Sequence, residues 1–556
     1  MKLSIIVPVY NEKNTIIDCI ERVQAIVLPR GFEKEIIIVD DGSTDGTSEP
    51  FEYCPEVPAL TSLRGIKIPE IPISYKPRNI AEGKKIRWYD GLGAIKTLVF
   101  HRFKRNPYFY IFLLAIIVRL ALFFFNLNGA DGNLITIIHG QDGYFDLSRN
   151  LFFGNGFSIN PEPPYFEYSY GVPGYPYFLY FLLWLSGGSY AFTIAVQMIL
   201  GAFIPVIGMH LTHLLVPFRR APLIVGILLA LAPYQILFSF IFYTETIFTF
   251  LFGIFLILFF KFLEHLSLRL AVWSSMFLAL SALTRPVVQY YVILVPLFML
   301  WHFRKGITKN LVKKIALFVA LFFLVLSPWL YRNHRTFNMI ALSGQMPFNL
   351  YQVLLPSVLS MANGTSFVLE QQKLPRKAAD IFFNTPKSVS SEAINEIKKH
   401  PIALIKLSAL NGFTFFTHDG MLTFLQASGI QPVSYLSKPA VIMFLTEPVQ
   451  LMREIWKQLH TSFALVFFAR LFWVAVMALF LLGIYALWRW HLLTGAIIFA
   501  VLTVFYFMFT TMINGLTVNA RFRMPVEPLI FIIAYAGLIF LYQIFKRRFA
   551  IDNIKN

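Results

Sequence analysis

The chain has 556 residues, of which 57% are hydrophobic and 14% charged, with 59 Phe and a mean hydropathy of +0.62. Water-soluble domains carry about 25% charged residues, so the composition excludes a soluble globular protein as well as a disordered or collagen-like one. Two cysteines, Cys19 and Cys54, are too few for a disulfide framework, and we interpret them as thiols on a reducing side. The net charge of +18 does not indicate nucleic acid, because Lys and Arg lie mainly in short loops beside apolar segments.

The N-terminal hundred residues predict a small α/β domain. A β-branched run covers 3–10, a helical pattern covers 15–26, and a second strand covers 35–39. Acidic residues follow this strand at Asp40, Asp41 and Asp45. Open α/β sheets bind nucleotides just past such strand ends, although a simple turn explains the same residues. We expect no cleavable signal peptide, because the chain starts directly with a strand.

Two phrases, IIVPVYNE at 5–12 and VDDGSTDGT at 39–47, resemble the nucleotide-binding start of family 2 glycosyltransferases. Residues 64–103 resemble the C-terminal end of such a domain in polyprenyl-phosphate sugar synthases. The middle of the family's domain, with its second acidic motif and acceptor-side residues, has no counterpart here. We therefore predict a truncated, catalytically silent cytoplasmic domain over 1–103, in which Asp40, Asp41 and Asp45 are a vestigial nucleotide site.

Long apolar runs predict a polytopic α-helical membrane protein with about 10–12 spans. The predicted spans are 107–127, 174–186, 190–215, 221–241, 243–263, 268–284, 286–303, 312–331, 462–487, 492–513 and 526–545. They define a first transmembrane block over 104–331 with an outer loop over 128–172, a large extracytoplasmic loop over 332–461, a second block over 462–548, and a tail over 549–556.

Basic clusters set the predicted orientation. They precede the first span, lie between 303 and 315, occur at Arg489, and follow the last span at 546–548. The positive-inside rule then places both termini in the cytoplasm of a bacterial or archaeal cell, with the protein in the plasma membrane. Counting spans from the C-terminus requires that 174–186 be re-entrant or interfacial, or else that one span boundary be wrong.

Arginines fall on the predicted outer side, against the usual bias. They are Arg285, Arg332, Arg335, Arg521 and Arg523. A guanidinium at the outer membrane boundary suits a phosphate, which it grips with two parallel hydrogen bonds. Snorkelling to lipid headgroups explains any one of them. For the whole set we favour donor-phosphate binding.

The first outer loop is acidic where the others are basic. If a helix begins at Asp142, then Asp142 is an N-cap and Asp146 pairs with Arg149. Alternatively, a carboxylate beside a phosphate site accepts the proton of an acceptor hydroxyl as a sugar is transferred. Glu245 lies within a predicted span, where it should either face a polar cavity or form an interhelical hydrogen bond with Thr or Tyr. We expect Tyr144, Asp146 and Glu245 to line such a cavity.

Ordered phrases extend over about residues 107–545. They are DGY at 142–144, LSRNL at 147–151, GNGF at 154–157, PGYP at 173–176, YTE at 243–245, ALTRP at 282–286, SPW at 327–329 with RN at 332–333, and ARFRMPVEP at 520–528. These resemble membrane glycosyltransferases of the GT-C type, in the dolichyl-phosphate-mannose protein mannosyltransferase and aminoarabinose transferase group. The resemblance implies that Asp142 is the catalytic carboxylate. Many relatives carry a second acid directly after it, where this chain has Gly143.

The predicted function is transfer of a sugar from a polyprenyl-phosphate donor to a protein, lipid or polysaccharide acceptor on the extracytoplasmic face. One alternative is a lipid-linked glycan flippase or scaffold, which would need a polar path to both faces. Another is a polyprenyl-phosphate sugar synthase acting through the N-terminal domain. His418-Asp419 lacks a third ligand, so we predict no metal site and no definite cofactor, and leave a divalent metal open.

Overall fold

The computed structural model describes residues 2–9, 16–26, 33–40, 106–140, 142–374, 386–430, 443, 447–459 and 461–555. The chain divides into two compact units, Met1–Tyr110 and Ile111–Asn556. Each unit is described by itself.

The described elements of the first unit are β1 (Lys2–Val9), α1 (Ile16–Ala25) and β2 (Glu33–Asp40). β1 and β2 pair in parallel, with Lys2 opposite Glu33 and Val9 opposite Asp40. Parallel strands need a crossover connection, and α1 lies on that connection. The predicted β-α-β order is therefore confirmed, and Asp40 is the last residue of β2. Asp41, Asp45 and the resemblance over 64–103 lie outside the described residues.

The second unit is helical. Its first helices are α2 (Pro107–Gly129), α3 (Leu134–Ile138), α4 (Tyr144–Phe152), α5 (Gly174–Leu185), α6 (Tyr190–Leu215), α7 (Ala221–Ala230), α8 (Pro233–Leu237), α9 (Glu245–His265), α10 (Leu268–Thr284), α11 (Tyr291–His302) and α12 (Lys309–Phe337). A 3₁₀ turn, Pro286–Val288, connects α10 to α11.

The remaining helices are α13 (Gln345–Phe348), α14 (Leu355–Asn363), α15 (Phe367–Lys373), α16 (Pro386–Ile397), α17 (Pro401–Thr417), α18 (Met421–Ala427), α19 (Pro448–Gln458), α20 (Phe463–Arg489), α21 (Gly495–Thr511) and α22 (Glu527–Lys555). A π-helical turn, Asn349–Leu354, joins α13 to α14. Short 3₁₀ turns, Met512–Thr517, Ala520–Phe522 and Met524–Val526, lie between α21 and α22.

Seven helical segments of the described chain are long and apolar enough to cross a membrane, or eight if one bent pair forms a span. The seven are α2, α6, α9, α12, α20, Gly495–Thr517 and Met524–Lys546. The predicted class, a polytopic α-helical membrane protein with a small α/β segment at its N-terminus, is confirmed. The bent pair, α13 to α14 with α15, turns by 117° within the region predicted as a large outer loop.

Four predicted spans correspond to shorter helices. They are 174–186, 221–241, 268–284 and 286–303. The run over 221–241 is interrupted, because α7 ends at Ala230 and Pro233 starts the short helix α8. Proline has no N–H to donate to a preceding turn, so it favours a new start over continuation.

The first residues of α6 and α9 lie at one end of the bundle, where the Tyr190 and Phe242 rings are 6.3 Å apart. The start of α5 lies at this end as well. A Cβ at Gly174 would meet the carbonyl oxygen of Leu283, close to the end of α10, at 2.7 Å. Because Tyr190 follows shortly after α5, the chain lies at this end of the bundle both before and after α5. These contacts support the interfacial or re-entrant alternative for 174–186.

The opposite end, which we call the basic end, carries the far ends of these helices. Leu266, after α9, accepts a hydrogen bond from Lys314 Nζ in the first turns of α12 (2.5 Å). The Phe218 ring, after α6, lies 5.9 Å from Trp490, which follows α20. The loops and first turns here contain Arg219, Arg220, Arg304, Lys305, Lys309, Lys313 and Arg489. Among the described residues, two of the basic clusters that set the predicted orientation, between 303 and 315 and at Arg489, thus lie at this end.

The contact between α20 and α22 depends on two glycines. A Cβ at Gly483 would overlap the carbonyl oxygen of Ile533, and one at Gly537 would overlap that of Leu479. Membrane helices without a hydrophobic force between them associate through such close backbone approaches.

We expect Gly483→Ala to separate α20 from α22, because backbone atoms cannot yield as a flexible side chain does. Overpacking of this kind destabilises by about 3 kcal/mol, which thermal unfolding in detergent will measure. Gly129→Ala is the control, since a Cβ there meets nothing within 4 Å. Equal stability of the two variants would contradict the close approach.

Candidate active site

Asp142 lies in the loop between α3 and α4, just before a glycine with special geometry. Gly143 is the N-cap residue of α4 and has φ of +73°. This left-handed conformation is strained for other residues, and a Cβ would also meet Ile159 Cγ2 at 3.2 Å. The local backbone therefore gives a physical reason for glycine at this position. The interpretation of Asp142 as the N-cap is wrong, because α4 begins one residue later than it requires.

Arg521 bridges two carboxylates from distant parts of the chain. It lies in the turn Ala520–Phe522, where the Asn519 side chain accepts a hydrogen bond from its backbone N–H (3.0 Å). Its Nη2 donates to Asp142 Oδ2 and its Nε donates to Glu245 Oε1. The guanidinium also lies 4.6 Å from the centre of the Tyr243 ring. One side chain therefore fixes the acidic loop against the start of α9.

Glu245 is the first residue of α9 and is completely buried. Arg285 Nη1, just after α10, lies 2.9 Å from Glu245 Oε1, the same oxygen that Arg521 contacts. Thr244 Oγ1, from the residue directly before Glu245, donates to Oε2 at 3.4 Å, which is a local contact and not the interhelical hydrogen bond to Thr or Tyr that we considered. A carboxylate at a helix N-terminus is stabilised by the helix dipole. Two guanidiniums add to this stabilisation, which is how a carboxylate is tolerated here.

We call Asp142, Arg521, Glu245 and Arg285 the ion cluster. Its two carboxylates and two guanidiniums alternate in contact, so their formal charges cancel, as burial of charged groups requires. The two carboxylates differ in exposure, which is 0% for the Glu245 side chain and 34% for Asp142. Asp142 is thus the carboxylate of the cluster that a substrate can reach.

Tyr144 and Asp146, which were also predicted to line a polar cavity, make different contacts. The Tyr144 ring packs edge-on against Tyr175 at 5.2 Å. Burial, together with the nearby charge of Asp142, raises the pKa of Tyr144, so its phenol stays protonated. Asp146 lies 3.8 Å from His139 Nε2 instead of forming the predicted pair with Arg149. The structure therefore brings Tyr144 to the cluster and directs Asp146 towards His139.

A cavity of about 280 Å³ lies beside the cluster. Its lining includes Arg285, Gln289, Ser343, Asn349, Asn514 and Phe522. Asn349 Nδ2 donates to Asn514 Oδ1 at 3.2 Å, which links the π-helical turn to the segment after α21. Arg285 belongs to both the cluster and the cavity wall, so an anion in the cavity would contact a guanidinium that is already held in place.

Three of the predicted phosphate-binding arginines make other contacts. Arg332 donates to the carbonyl of Tyr168 (3.2 Å) and to Glu167, and stacks 4.5 Å above Trp329. The exposed Arg335 donates from Nε to Tyr331 Oη at 3.0 Å. Arg523 is completely buried among carbonyl groups. The structure brings Arg285 and Arg521 to the cluster, whereas Arg332, Arg335 and Arg523 have contacts of their own.

Sequence reasoning did not predict roles for Tyr243, Asn349 and Asn514. Tyr243 is the first residue of the YTE phrase, which gives no signal for its contact with the Arg521 guanidinium. The two asparagines lie 165 positions apart and carry no local signal.

The His418-Asp419 pair is engaged by protein groups. Asp419 accepts hydrogen bonds from Arg470 Nε (2.7 Å) and from the backbone N–H of Met421 (2.8 Å). His418 Nδ1 accepts one from the backbone N–H of Gly420 at 3.1 Å. Within the described part of the chain, no group of three or more His, Cys, Asp or Glu side chains could hold a metal ion.

Comparisons with known proteins agree with the N-terminal resemblance. The family model described as glycosyl transferase family 2 matches residues 4–60. Fold and match together define the class: a polytopic helical membrane protein with an N-terminal segment that matches the glycosyl transferase family 2 model.

Among solved structures, the chain is similar to the archaeal oligosaccharyltransferase AglB from Archaeoglobus fulgidus, in complex with an inhibitory peptide and a dolichol-phosphate. The identity is 16% and the TM-score 0.43, with 81% of this chain and 52% of that chain covered. The chain thus spans about half the length of that protein. Comparison with curated proteins gives no match.

Proposed function

We propose that this chain is a membrane glycosyltransferase of the GT-C type, which moves a sugar from a polyprenyl-phosphate donor to an acceptor. The family 2 match supports a glycosyltransferase in general terms. The observation that carries the specific proposal is the ion cluster, in which the partly exposed Asp142 is joined through Arg521 and Glu245 to Arg285 in the wall of a cavity.

The proposed reaction is a single displacement. Asp142 accepts the proton of an acceptor hydroxyl while that oxygen forms a bond to the anomeric carbon of the sugar. The bond between this carbon and the donor phosphate oxygen breaks, and polyprenyl phosphate leaves with the electron pair. Arg285 stabilises the charge that develops on the phosphate, since fixed donors aimed at a developing charge lower the barrier. Arg521 holds Asp142 in place through their ion pair.

The proposed orientation puts the basic end in the cytoplasm and the ion cluster on the extracytoplasmic side. It is supported by the basic loops at one end and by the positive-inside rule. Both termini are then cytoplasmic, and the acceptor is an extracytoplasmic protein, lipid or polysaccharide. The lipid bilayer supplies the donor.

A flippase or scaffold fits less well. A transporter needs a polar path to both faces. The ion cluster, in contrast, joins helix starts and ends at one end of the bundle.

Donor titration tests the proposal through two arginines. We expect Arg285→Lys to weaken donor affinity by roughly ten- to a hundredfold, because Lys loses the planar two-point grip, worth about 1.5–3 kcal/mol. Arg332→Lys is the control, since Arg332 is occupied by Glu167 and Trp329. The measurement is release of polyprenyl phosphate from a polyprenyl-phosphate sugar by the purified protein. Unchanged affinity in Arg285→Lys would remove Arg285 from the donor site.

The family 2 match also favours a second candidate, a synthase that makes polyprenyl-phosphate sugar from a nucleotide sugar. We expect deletion of residues 1–95, keeping 101–105 to orient the first span, to retain much of the transfer activity. The assay compares both chains with polyprenyl-phosphate sugar and with nucleotide sugars. Turnover of a nucleotide sugar by the full chain alone would show that the N-terminal domain is active.

A further inference from the structure

Arg523 lies only two residues after Arg521 but contacts a different part of the protein. Its Nη1 donates to the carbonyl oxygens of Phe415 (2.7 Å) and Phe416 (3.0 Å), and its Nη2 donates to that of His418 (2.8 Å). The guanidinium carbon lies 3.5 Å from the centre of the Trp473 ring. The guanidinium group is therefore held at its edge by carbonyl groups and on its face by the Trp473 ring.

The three carbonyl groups belong to the C-terminal end of α17, which closes at Thr417. The last carbonyl groups of a helix have no partner within the helix and carry its negative partial charge. A buried guanidinium at this place satisfies several of them at once. It thereby attaches the turn Ala520–Phe522 to the end of α17.

Glu527 and Gln235 hold the other side of the same segment. Arg523 Nε lies 3.5 Å from Glu527 Oε1. Gln235 Nε2 donates to Glu527 Oε2 and to the carbonyl of Met524, both at 3.1 Å. The segment from Asn519 to Glu527, which ends at the start of α22, is thus held against α8 and α17. Arg521 lies within this segment and belongs to the ion cluster.

We propose that Arg523 is a positioning residue that holds the turn carrying Arg521, and so sets the position of Asp142 for sugar transfer. This inference rests on the proposed function. It replaces phosphate binding as the role of Arg523, because the guanidinium is completely buried and already faces three carbonyls, a carboxylate and an indole. A phosphate would have to displace these groups.

The main experiment compares kinetics of the full-length protein and its Arg523→Lys variant. Lys keeps the charge, but its ammonium group cannot donate to all three carbonyls in the same geometry. It also has no planar group to stack on the Trp473 ring. We expect kcat to fall at least about tenfold with an unchanged KM for the donor, since small displacements of catalytic groups are costly. A raised donor KM with unchanged kcat would instead make Arg523 a donor ligand, and would overturn the inference.

Arg470→Lys is a matched control. Arg470 also lies next to the end of α17, where it pairs with the Asp419 carboxylate at 2.7 Å, whereas Arg523 donates to the carbonyl groups of that helix end. We expect Arg470→Lys to keep kcat. If both variants lose thermal stability while kcat per folded molecule stays at the parent value, Arg523 has only a structural role and the inference is wrong.

A double variant tests whether Arg523 acts through Arg521. Arg521→Lys with Arg523→Lys should be no slower than Arg521→Lys alone, because residues that act as a unit are not additive. Losses that multiply would contradict the proposal.

A measurement that does not depend on catalysis tests this inference separately from the proposed function. In an Arg521→Cys background, Arg523→Lys should change the rate of thiol alkylation several-fold, measured on the peptide that contains residue 521. Absence of sugar transfer by the parent protein would refute the proposed function alone. An unchanged alkylation rate would refute the positioning role.

Discussion

Replacing Asp142 with Asn is expected to lower sugar transfer by about 10²–10⁴-fold, the usual contribution of a general base. Asn keeps the shape of the side chain but cannot take a proton. The fold should persist, because Arg521 keeps its contact with Glu245. The measurement is release of polyprenyl phosphate at saturating donor, together with thermal unfolding in the same detergent.

Asp146→Asn is the matched control. It makes the same chemical change four positions later, in the first turn of α4, at a carboxylate directed towards His139. We expect near-parent activity. Full activity in Asp142→Asn, or an equal loss in both variants, would exclude Asp142 as the base.

Asp142 could be proposed as a candidate from the sequence because it lies in a short, locally recognisable phrase in an acidic loop. Its partners in the ion cluster could not be predicted in this way. Glu245, Arg285 and Arg521 are 103, 143 and 379 positions away from it, and only tertiary packing decides which arginine reaches which carboxylate. Arg521 and Arg523 were equivalent as phosphate ligands on sequence evidence. The 3₁₀ turn that carries Arg521 directs the two side chains to different neighbours.

The lengths of the apolar runs predicted where most helices lie in the sequence, but not how each one runs relative to the membrane. Composition over 174–186 is that of a span, yet the predicted orientation required either that this segment be re-entrant or interfacial or that one span boundary be wrong. The contacts of Gly174 and Tyr190 support the first alternative. The helices within the predicted outer loop were missed, because α13 to α17 are short or bent and apolar length marks only long runs. In the first unit, runs of β-branched residues predicted both strands.

The predicted role of Glu245 as a cavity residue understated what its burial implies. It shares one oxygen between Arg285 and Arg521, with no exposure to solvent. Removing its charge leaves two close guanidiniums with Asp142 as the remaining carboxylate of the cluster. An uncompensated buried charge costs about 3–5 kcal/mol. Loss of one member of the cluster is therefore expected to destabilise the fold as well as to disrupt the candidate catalytic site.

We accordingly expect Glu245→Gln to destabilise the protein by about 3–5 kcal/mol in reversible or kinetic unfolding experiments, and to abolish transfer. Glu396→Gln is the control, because Glu396 forms a surface pair with Lys399 (2.6 Å), and such pairs contribute about 0–1 kcal/mol. The double variant Glu245→Gln with Arg285→Gln restores neutrality, since Arg521 then faces Asp142 alone. It should be more stable than Glu245→Gln while remaining inactive. If the two substitutions instead destabilise additively, the cluster is not held together by charge compensation, and the electrostatic link from the cavity to Asp142 fails with it.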